Sequence, residues 1–183
     1  GATTVIYEGK PVGTPDAGAF WRVIDEHQVD VLFTAPTALR AIRRVDPELD
    51  FLQDHDISRL RGVFLAGERL DPETWHWAVD ALPCPVVDHW WQTETGWAIA
   101  ANPLGIATLP AKAGSTSMPL PGYHVSILDA KGREITEPGI EGNIAIRLPM
   151  APGNLLGIWG APDRFRSSYL QAFPGWYATG DSG

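Results

Sequence analysis

Hydrophobic positions between residues 1 and 110 follow two periods that alternate along the chain. Four short runs rich in β-branched and apolar residues predict strands, at residues 3–7, 31–34, 63–65 and 86–87. Between these runs, apolar residues recur every three or four positions and predict three helices. Thr14 followed by Pro15 indicates the start of the first helix, and Pro36 and Pro72 indicate the starts of the next two. Strands that alternate with helices are typical of a parallel sheet with crossover helices.

The pattern changes after residue 110, where Gly and Pro become frequent and the helical period fades. Alternating or apolar runs predict three more strands, at residues 123–128, 143–148 and 176–179. Residues 129–132 predict a hairpin-type turn between strands, and residues 163–169 a short helix. The expected fold class is therefore α/β. A parallel sheet with crossover helices occupies residues 1–110, and residues 111–183 form a β-rich part with a smaller antiparallel β subdomain at 111–148.

Small, glycine-containing or chemically functional residues lie at the carboxyl ends of three predicted strands, at residues 34–36, 66–68 and 88–94. Ligands of open parallel sheets bind outside the carboxyl ends of the strands. Because those ends meet at one edge of the sheet, these three segments predict a binding site there. The helices between them are only amphipathic, which is typical of packing.

Residues 89–97 contain an unusual concentration of functional side chains, with three indoles, two hydroxyls, an amide and a carboxylate. Neighbouring indoles form walls for a flat or apolar ligand. Gln92 and Thr93 offer short donors for a phosphoryl or carboxyl oxygen, and Glu94 is a hard oxygen ligand that suits Mg²⁺. The alternative is an aromatic strand end that happens to carry polar residues.

Composition narrows the class of protein. The 183 residues are 44% hydrophobic and 20% charged, which is ordinary for a globular domain, and the formal net charge is -8. An acidic chain without a dense Lys/Arg cluster argues against nucleic acid or a membrane as the main partner. The histidines lack zinc-ligand spacing, and the single Cys84 indicates a reducing compartment and an inert thiol. Because the chain opens in a strand without methionine, we expect it to come from the middle of a longer protein.

Six short motifs occur in order along the chain: Gly-Ala-Thr-Thr at 1–4, Thr-Ala-Pro-Thr at 34–37, Ala-Gly-Glu at 66–68, Trp-Trp-Gln-Thr-Glu-Thr-Gly at 90–96, Lys-Ala-Gly-Ser at 112–115 and Tyr-Ala-Thr-Gly-Asp at 177–181. With them the chain resembles the AMP-forming acyl-CoA synthetases of the adenylate-forming superfamily, and the 90–96 block is typical of their short-chain branch. Residues 64–69, His89 and residues 121–123 resemble the propionyl-CoA synthetases. The resemblance covers essentially the whole chain and corresponds to an internal part of the family's N-terminal domain.

This resemblance implies an acid–thiol ligase that uses ATP, Mg²⁺ and coenzyme A. A short-chain carboxylate, propionate or next acetate, would first be joined to the α-phosphate of ATP with release of pyrophosphate. The acyl group would then pass to coenzyme A with release of AMP. The resemblance places adenine between two groups of residues: Gly67, Glu68 and Arg69 on one side, and Asp88, His89 and Trp90 on the other. Arg69 departs from the Pro that is common in acetate enzymes.

The resemblance implies three further roles: catalytic contacts to the α-phosphate by Gln92 and Thr93, Mg²⁺ binding and catalysis by Glu94, and ribose binding by Asp181. Trp91 would close the acyl pocket, with Ala66 on its wall. Acetate-specific relatives tend to carry the larger Val at the place of Ala66, so propionate is favoured. One methylene changes the binding free energy in a hydrophobic pocket by only about 1–3 kcal/mol, and acetate is therefore not strictly excluded. Residues 34–36 would line the channel for the pantetheine arm.

The sequence contains no Ser/Thr/Gly-rich phosphate loop with its lysine, and the family's catalytic lysine belongs to a C-terminal domain. We therefore expect this chain alone to lack synthetase activity and to work with the missing N- and C-terminal parts of the same enzyme. The alternative is a non-catalytic nucleotide-binding or interaction module derived from such an enzyme. The expected compartment is the cytoplasm, or the mitochondrial matrix in a eukaryote.

Overall fold

The computed structural model describes all 183 residues, which divide into two compact units. The first unit contains Gly1–Trp90 and Ala101–Ser117, and the second contains Trp91–Ala100 and Met118–Gly183. The sequence predicts one boundary, between residues 110 and 111. The compact units differ from that division, because the chain passes into the second unit at Trp91, returns at Ala101 and passes over again at Met118.

The first unit is built on a parallel three-stranded sheet. Its strands are β1 (Val31–Thr34), β2 (Gly62–Leu65) and β3 (Val86–Asp88). Its helices are α1 (Ala19–Glu26), α2 (Pro36–Val45) and α3 (Pro72–Ala81), with a 3-10 turn at Asp50–Leu52. The strands lie in the order β1-β2-β3, with Thr34 opposite Leu65 and Leu65 opposite Asp88. The predicted α/β class with a parallel sheet and crossover helices is confirmed.

Apolar side chains from each of these helices and from the sheet form the core of the first unit. Its fully buried members include Trp21, Leu39, Ile42, Val63, Leu65 and Ala78. Cys84 packs against this core, and burial raises the pKa of its thiol to about 11. The thiol is therefore protonated near neutral pH, which agrees with its predicted inert role.

Proline and a capping carboxylate set the starts of α2 and α3. Each helix has Pro at its first position, as predicted, since that position needs no N–H donor. Asp71 caps α3 by accepting a hydrogen bond from the Thr74 N–H at 2.9 Å. The first helix was placed wrongly from the sequence: α1 begins at Ala19, four residues after the predicted proline start. The Thr14 hydroxyl bonds to the backbone of Lys10 instead of capping a helix.

The predicted strand at residues 3–7 is wrong. These residues lie in no strand, and the Ile6 side chain is 88% exposed. Residues 2–7 and residues 27–34 are among those that line a cavity of about 770 Å³, and β1 pairs with β2 but not with this segment. The β-branched residues do favour an extended strand, but a strand also needs a hydrogen-bonded neighbour.

The remaining strands form two further three-stranded sheets. Strands β4 (Trp90–Trp91), β5 (Ala98–Ala101) and β6 (Met118–Pro119) form a sheet in that order. Strands β7 (Val125–Leu128), β8 (Asn143–Arg147) and β9 (Trp176–Ser182) form an antiparallel sheet. A short helix α4 (Pro162–Phe165) continues into a π-helical turn at Arg166–Leu170, close to the predicted helix. The predicted antiparallel sheet is confirmed, with the last strand longer than expected.

Residues 129–132 form a hairpin-type turn, as predicted, but the segment that follows the turn is a bridge rather than a full strand. The Gly132 N–H donates to the Asp129 carbonyl, and the chain then returns beside β7 through a single bridge between Leu128 and Glu134. The strand that pairs fully with β7 is β8, which begins only at Asn143. None of the helices is long and apolar enough to cross a membrane.

Candidate functional site

The three strand ends of the first unit lie side by side, as the parallel register requires. The Ala66 N–H donates to the Thr34 carbonyl at 3.1 Å, and the His89 N–H donates to the Leu65 carbonyl at 3.0 Å. The ladder therefore extends one residue beyond β2 and one residue beyond β3, and the segments that begin at Ala66 and His89 leave the sheet as neighbours. This edge is where ligands of parallel sheets bind.

The loop after β2 is held by its own carboxylate. Gly67 has a φ of 98°, a left-handed conformation that favours glycine, and it turns the chain away from the sheet. The next side chain, Glu68, accepts a hydrogen bond from the Thr37 N–H at 2.6 Å, at the first turn of α2. It also contacts the Thr37 hydroxyl. A carboxylate at this place satisfies a helix N–H that has no partner within the helix and interacts favourably with the positive end of the helix dipole.

Arg40 joins this loop to the start of α3. Its guanidinium contacts Glu68 at 2.7 Å and Asp71 at 3.1 Å. Burial tends to raise the pKa of Asp71, but hydrogen bonds from Thr74 and Arg40 outweigh it and leave the pKa below its usual value. One cation therefore fixes both ends of residues 68–71, so that this loop is held by α2 on one side and α3 on the other.

The segment after β3 carries a carboxylate in an unfavourable environment. Burial raises the pKa of Asp88 from 3.8 to about 6, although the His89 N–H and the charge of Arg69 favour its ionised form. The His89 ring is buried edge-on to Phe33 and Phe64, with ring centroids 5.6 and 6.0 Å away, and burial lowers its pKa. A carboxylate with a raised pKa at the end of a parallel strand is a candidate for function.

A further motif of the first unit lies against the loop after β2. Gly114 belongs to the Lys-Ala-Gly-Ser motif and has a φ of 73°. A Cβ atom at this position would lie 3.6 Å from the Arg69 guanidinium and 3.6 Å from the Pro72 ring. Three of the four sequence motifs that lie wholly in the first unit thus meet near the sheet edge, at residues 34–37, 66–68 and 112–115.

In the second unit, residues 92–95 form a tight turn. The Thr95 N–H donates to the Gln92 carbonyl at 3.0 Å, and the Thr95 hydroxyl lies 3.1 Å from the Gln92 nitrogen. Thr95 is buried and closes the turn, whereas Thr93 at its corner is exposed. Thr93 and Glu94 therefore occupy the two central positions of a β-turn, and Thr93 is exposed there.

Gln92 reaches across the second unit to the last strand. Its amide nitrogen donates to the Thr179 carbonyl and to the Asp181 carboxylate, each at 2.8 Å, although Gln92 and Asp181 are 89 residues apart in sequence. Its amide oxygen accepts from the Tyr177 hydroxyl at 3.3 Å. The predicted phosphate-binding and ribose-binding residues of this unit are thus brought into direct contact.

Glu94 is held by a tyrosine that the sequence analysis did not select. The Tyr169 hydroxyl donates to Glu94 Oε1 at 2.9 Å, and this bond raises the pKa of Tyr169. The Tyr169 ring stacks on Tyr177, with centroids 5.3 Å apart and planes within 6°. Tyr169 lies in the π-helical turn outside every recognised motif, so no local sequence signal marks it.

The donor set around Glu94 fits a Mg²⁺ that takes most of its ligands from phosphates and water. The second carboxylate oxygen, Oε2, accepts no hydrogen bond from the chain. No cluster of three or more His, Cys, Asp or Glu side chains could hold a metal by itself. Mg²⁺ in nucleotide sites is commonly bound through one or two carboxylates together with phosphate oxygens, and Glu94 can supply one.

The predicted site residues therefore fall into two groups. The first unit holds Ala66, Gly67, Glu68, Arg69, Asp88, His89 and Trp90, and the second holds Trp91, Gln92, Thr93, Glu94 and Asp181. The pairing of Ala66 with Trp91 in one acyl pocket stays a prediction, as does the placement of adenine. The sequence analysis missed the residues that hold these groups in place: Arg40 and Asp71 in the first unit, and Tyr169 in the second.

Comparisons with known proteins identify the family to which the chain is similar. Residues 1–159 match the family described as AMP-binding enzyme. An uncharacterized protein of Pseudomonas aeruginosa is 52% identical over the whole chain, which covers 29% of that protein. The mitochondrial acyl-CoA synthetase short-chain family member 3 of Mus musculus is 46% identical, and the acetyl-coenzyme A synthetase of Laribacter hongkongensis is 43% identical. The whole chain aligns in both cases and spans 27% and 28% of these curated relatives.

Proposed function

Because the chain belongs to the family of AMP-binding enzymes, we propose that it is the nucleotide-binding part of a longer ATP-dependent ligase that joins a short-chain carboxylic acid to coenzyme A. Two matched relatives are named as short-chain acyl-CoA and acetyl-coenzyme A synthetases, and the chain spans less than a third of either. The observation that carries the proposal is the contact between Gln92 and Asp181, which unites two recognised motifs in one polar cluster.

The proposed reaction has two steps. A carboxylate oxygen attacks the α-phosphorus of ATP, the bond from that phosphorus to the pyrophosphate oxygen breaks, and an acyl-AMP forms. The sulfur of coenzyme A then attacks the acyl carbon, AMP leaves with the electron pair of the acyl–oxygen bond, and the thiol proton passes to solvent. Both steps depend mainly on positioning and on stabilising charge at phosphoryl oxygens.

Different residues of this chain would bind different parts of ATP. Gln92 and Thr93 would donate to the α-phosphate from a turn whose shape is fixed by Thr95. Asp181, a two-oxygen acceptor, would bind the ribose hydroxyls. Glu94 would hold Mg²⁺, which when bound neutralises charge on the phosphates.

The first unit would supply the adenine contacts. The Glu68 carboxylate is engaged by α2, and the His89 ring is buried between two phenylalanines. We therefore assign the adenine contacts of these two residues to their backbone atoms, with Gly67, Arg69, Asp88 and Trp90 completing the two walls.

Propionate is the proposed acid, with acetate as the second substrate. Ala66 is 6% exposed at the end of β2, where a small side chain leaves room for one more methylene than Val would. The proposed compartment is the cytoplasm, or the mitochondrial matrix in a eukaryote. One matched relative is named as mitochondrial, and another is bacterial.

The decisive experiment is pyrophosphate exchange into ATP by the full-length protein that contains this chain, with propionate, acetate and butyrate compared. The proposal expects acid-dependent exchange that is strongest with propionate, and loss of exchange in Gln92→Ala. ATP binding without exchange for any acid would instead support a non-catalytic nucleotide-binding module. Exchange that is unchanged by Gln92→Ala would contradict the site assignment.

A further inference from the structure

Three side chains with separate proposed roles belong to one connected cluster in the second unit. Glu94, Gln92 and Asp181 are assigned to Mg²⁺, phosphate and ribose. Tyr169 bonds to Glu94, Tyr177 bonds to Gln92, and the two tyrosine rings stack on each other. A displacement of one member would therefore be transmitted to the others through rigid aromatic side chains, which have few rotatable bonds.

The position of Glu94 explains why it needs such support. It lies in the middle of a β-turn, partly exposed, and its backbone is fixed by a bond from the Leu155 N–H to the Glu94 carbonyl at 2.7 Å. The long side chain is not fixed by the backbone, because a free glutamate samples many rotamers and loses that freedom when it is held in place. The one side-chain hydrogen bond that restricts it comes from Tyr169, at 2.9 Å.

Tyr169 is well placed to hold Glu94 because its own ring is held. It stacks almost parallel to Tyr177, which is only 2% exposed, and it also contacts Phe165 one turn earlier, at a centroid distance of 5.7 Å. The hydroxyl engages Oε1 and leaves Oε2 for another ligand. Packing therefore fixes the Tyr169 ring, and the hydroxyl is free of that packing role and holds Glu94.

We propose that Tyr169 is a positioning residue that orients the Glu94 carboxylate for a Mg²⁺ bound to the phosphates of ATP. The inference rests on the proposed function and deepens it, since it names a residue that acts through Glu94 and touches neither ATP nor the acid. Removing the hydroxyl should leave the fold intact and weaken only the metal-dependent part of nucleotide binding.

The test compares Tyr169→Phe with Tyr123→Phe in the full-length protein. Tyr123 is a matched control in the same unit, because its hydroxyl also donates one hydrogen bond, to Asn154 at 3.1 Å. ATP affinity is measured by calorimetry with and without Mg²⁺, together with the thermal midpoint and the pyrophosphate-exchange rate over a range of Mg²⁺ concentrations.

Tyr169→Phe should reduce the gain in ATP affinity on adding Mg²⁺ by about tenfold, the order expected for a lost hydrogen bond to a charged group. The Mg²⁺ concentration for half-maximal exchange should rise by a similar factor. Affinity without Mg²⁺ should stay unchanged, and Tyr123→Phe should match the wild type. The positioning role is wrong if Tyr169→Phe keeps the wild-type response to Mg²⁺, or if it weakens ATP binding equally with and without the metal. A wild-type protein without exchange activity would instead refute the proposed function, and this role with it.

Discussion

Arg40 provides the sharpest test of how the candidate nucleotide loop is held. Replacing it by Met keeps most of the aliphatic stem and removes the cation that contacts Glu68 at 2.7 Å and Asp71 at 3.1 Å. All three side chains are between 37% and 40% exposed, so the interaction belongs on the scale of surface ion pairs. At about 0.5–1 kcal/mol for each pair, the substitution should lower the free energy of unfolding by about 1–2 kcal/mol.

Arg43 offers a control from the same pair of helices. It lies three residues further along α2 and contacts Glu73 of α3 at 3.3 Å, but Glu73 is 82% exposed. Arg43→Met should therefore lower the free energy of unfolding by no more than about 0.5 kcal/mol. Arg40→Lys should recover part of the loss, since an ammonium is a single point of charge and cannot span two carboxylates as a guanidinium does.

The assay has two parts. Urea denaturation of the chain, followed by tryptophan fluorescence, gives the change in stability from the shift in midpoint at constant slope. Calorimetric titration of the full-length protein with ATP gives the change in affinity, which should fall by about threefold to tenfold in Arg40→Met and stay constant in Arg43→Met, because 1.4 kcal/mol corresponds to a factor of ten. Equal effects of the two substitutions on stability would refute the network. Normal ATP affinity in Arg40→Met would show that holding Glu68 does not serve the nucleotide.

Three further predictions address the pocket, the buried carboxylate and the chain as a whole. Ala66→Val should shift the ratio of kcat/KM for propionate over acetate by about tenfold toward acetate, since one methylene is worth about 1–3 kcal/mol in such a pocket; an unchanged ratio would remove Ala66 from the pocket wall. Burial raises the pKa of Asp88 from 3.8 to about 6, so the folded state binds this proton more tightly and stability falls as pH rises through that range. The loss of stability that the shift allows is at most about 3 kcal/mol. Solvent screening at a half-buried group reduces this loss to about 1 kcal/mol. Asp88→Asn should therefore be more stable than the wild type in urea at pH 8 and equal to it at pH 4, and a gain at both values would assign the effect to packing. The 183-residue chain alone should form no acyl-CoA from ATP, acid and coenzyme A, and turnover by this chain in a coupled AMP assay would show that the missing phosphate loop is dispensable.

The sequence predicted the parts of the fold that depend on local chemistry. Pro36 and Pro72 marked two helix starts correctly because proline suits the first turn of a helix wherever it lies. It failed at residues 3–7, where β-branched side chains favour a strand but the segment pairs with no other strand. It also failed at Pro15, because Asp16 accepts from the Gly18 N–H and pairs with Arg22, and this arrangement delays the helix to Ala19. The preference of a residue for helix or strand depends on its neighbours in sequence. Strand pairing and competing side-chain hydrogen bonds depend on the folded chain.

The same distinction separates the site residues that the sequence predicted from those that it missed. Motif residues lie next to one another in sequence, so Gln92, Thr93 and Glu94 could be selected together. The contacts that hold the two groups join distant parts of the chain: Arg40 pairs with Asp71 across 31 residues, and Tyr169 bonds to Glu94 across 75 residues. Only the folded chain brings such residues together, and none of them stands in a motif that marks it.

In both units a charged side chain of the candidate site is fixed by a side chain that is distant in sequence. Arg40 fixes Glu68 from a helix, and Tyr169 fixes Glu94 from a π-helical turn. A site that binds phosphates gains rate when its groups need no reorganisation as charge develops, so the supports matter to function even where they touch no substrate. If the motif residues bind the nucleotide and the supports only hold them, substitutions at Arg40 and Tyr169 should lower nucleotide affinity although every motif residue is still present. A synthetase fragment that had lost its function would have no such requirement, and its supports would contribute to stability alone.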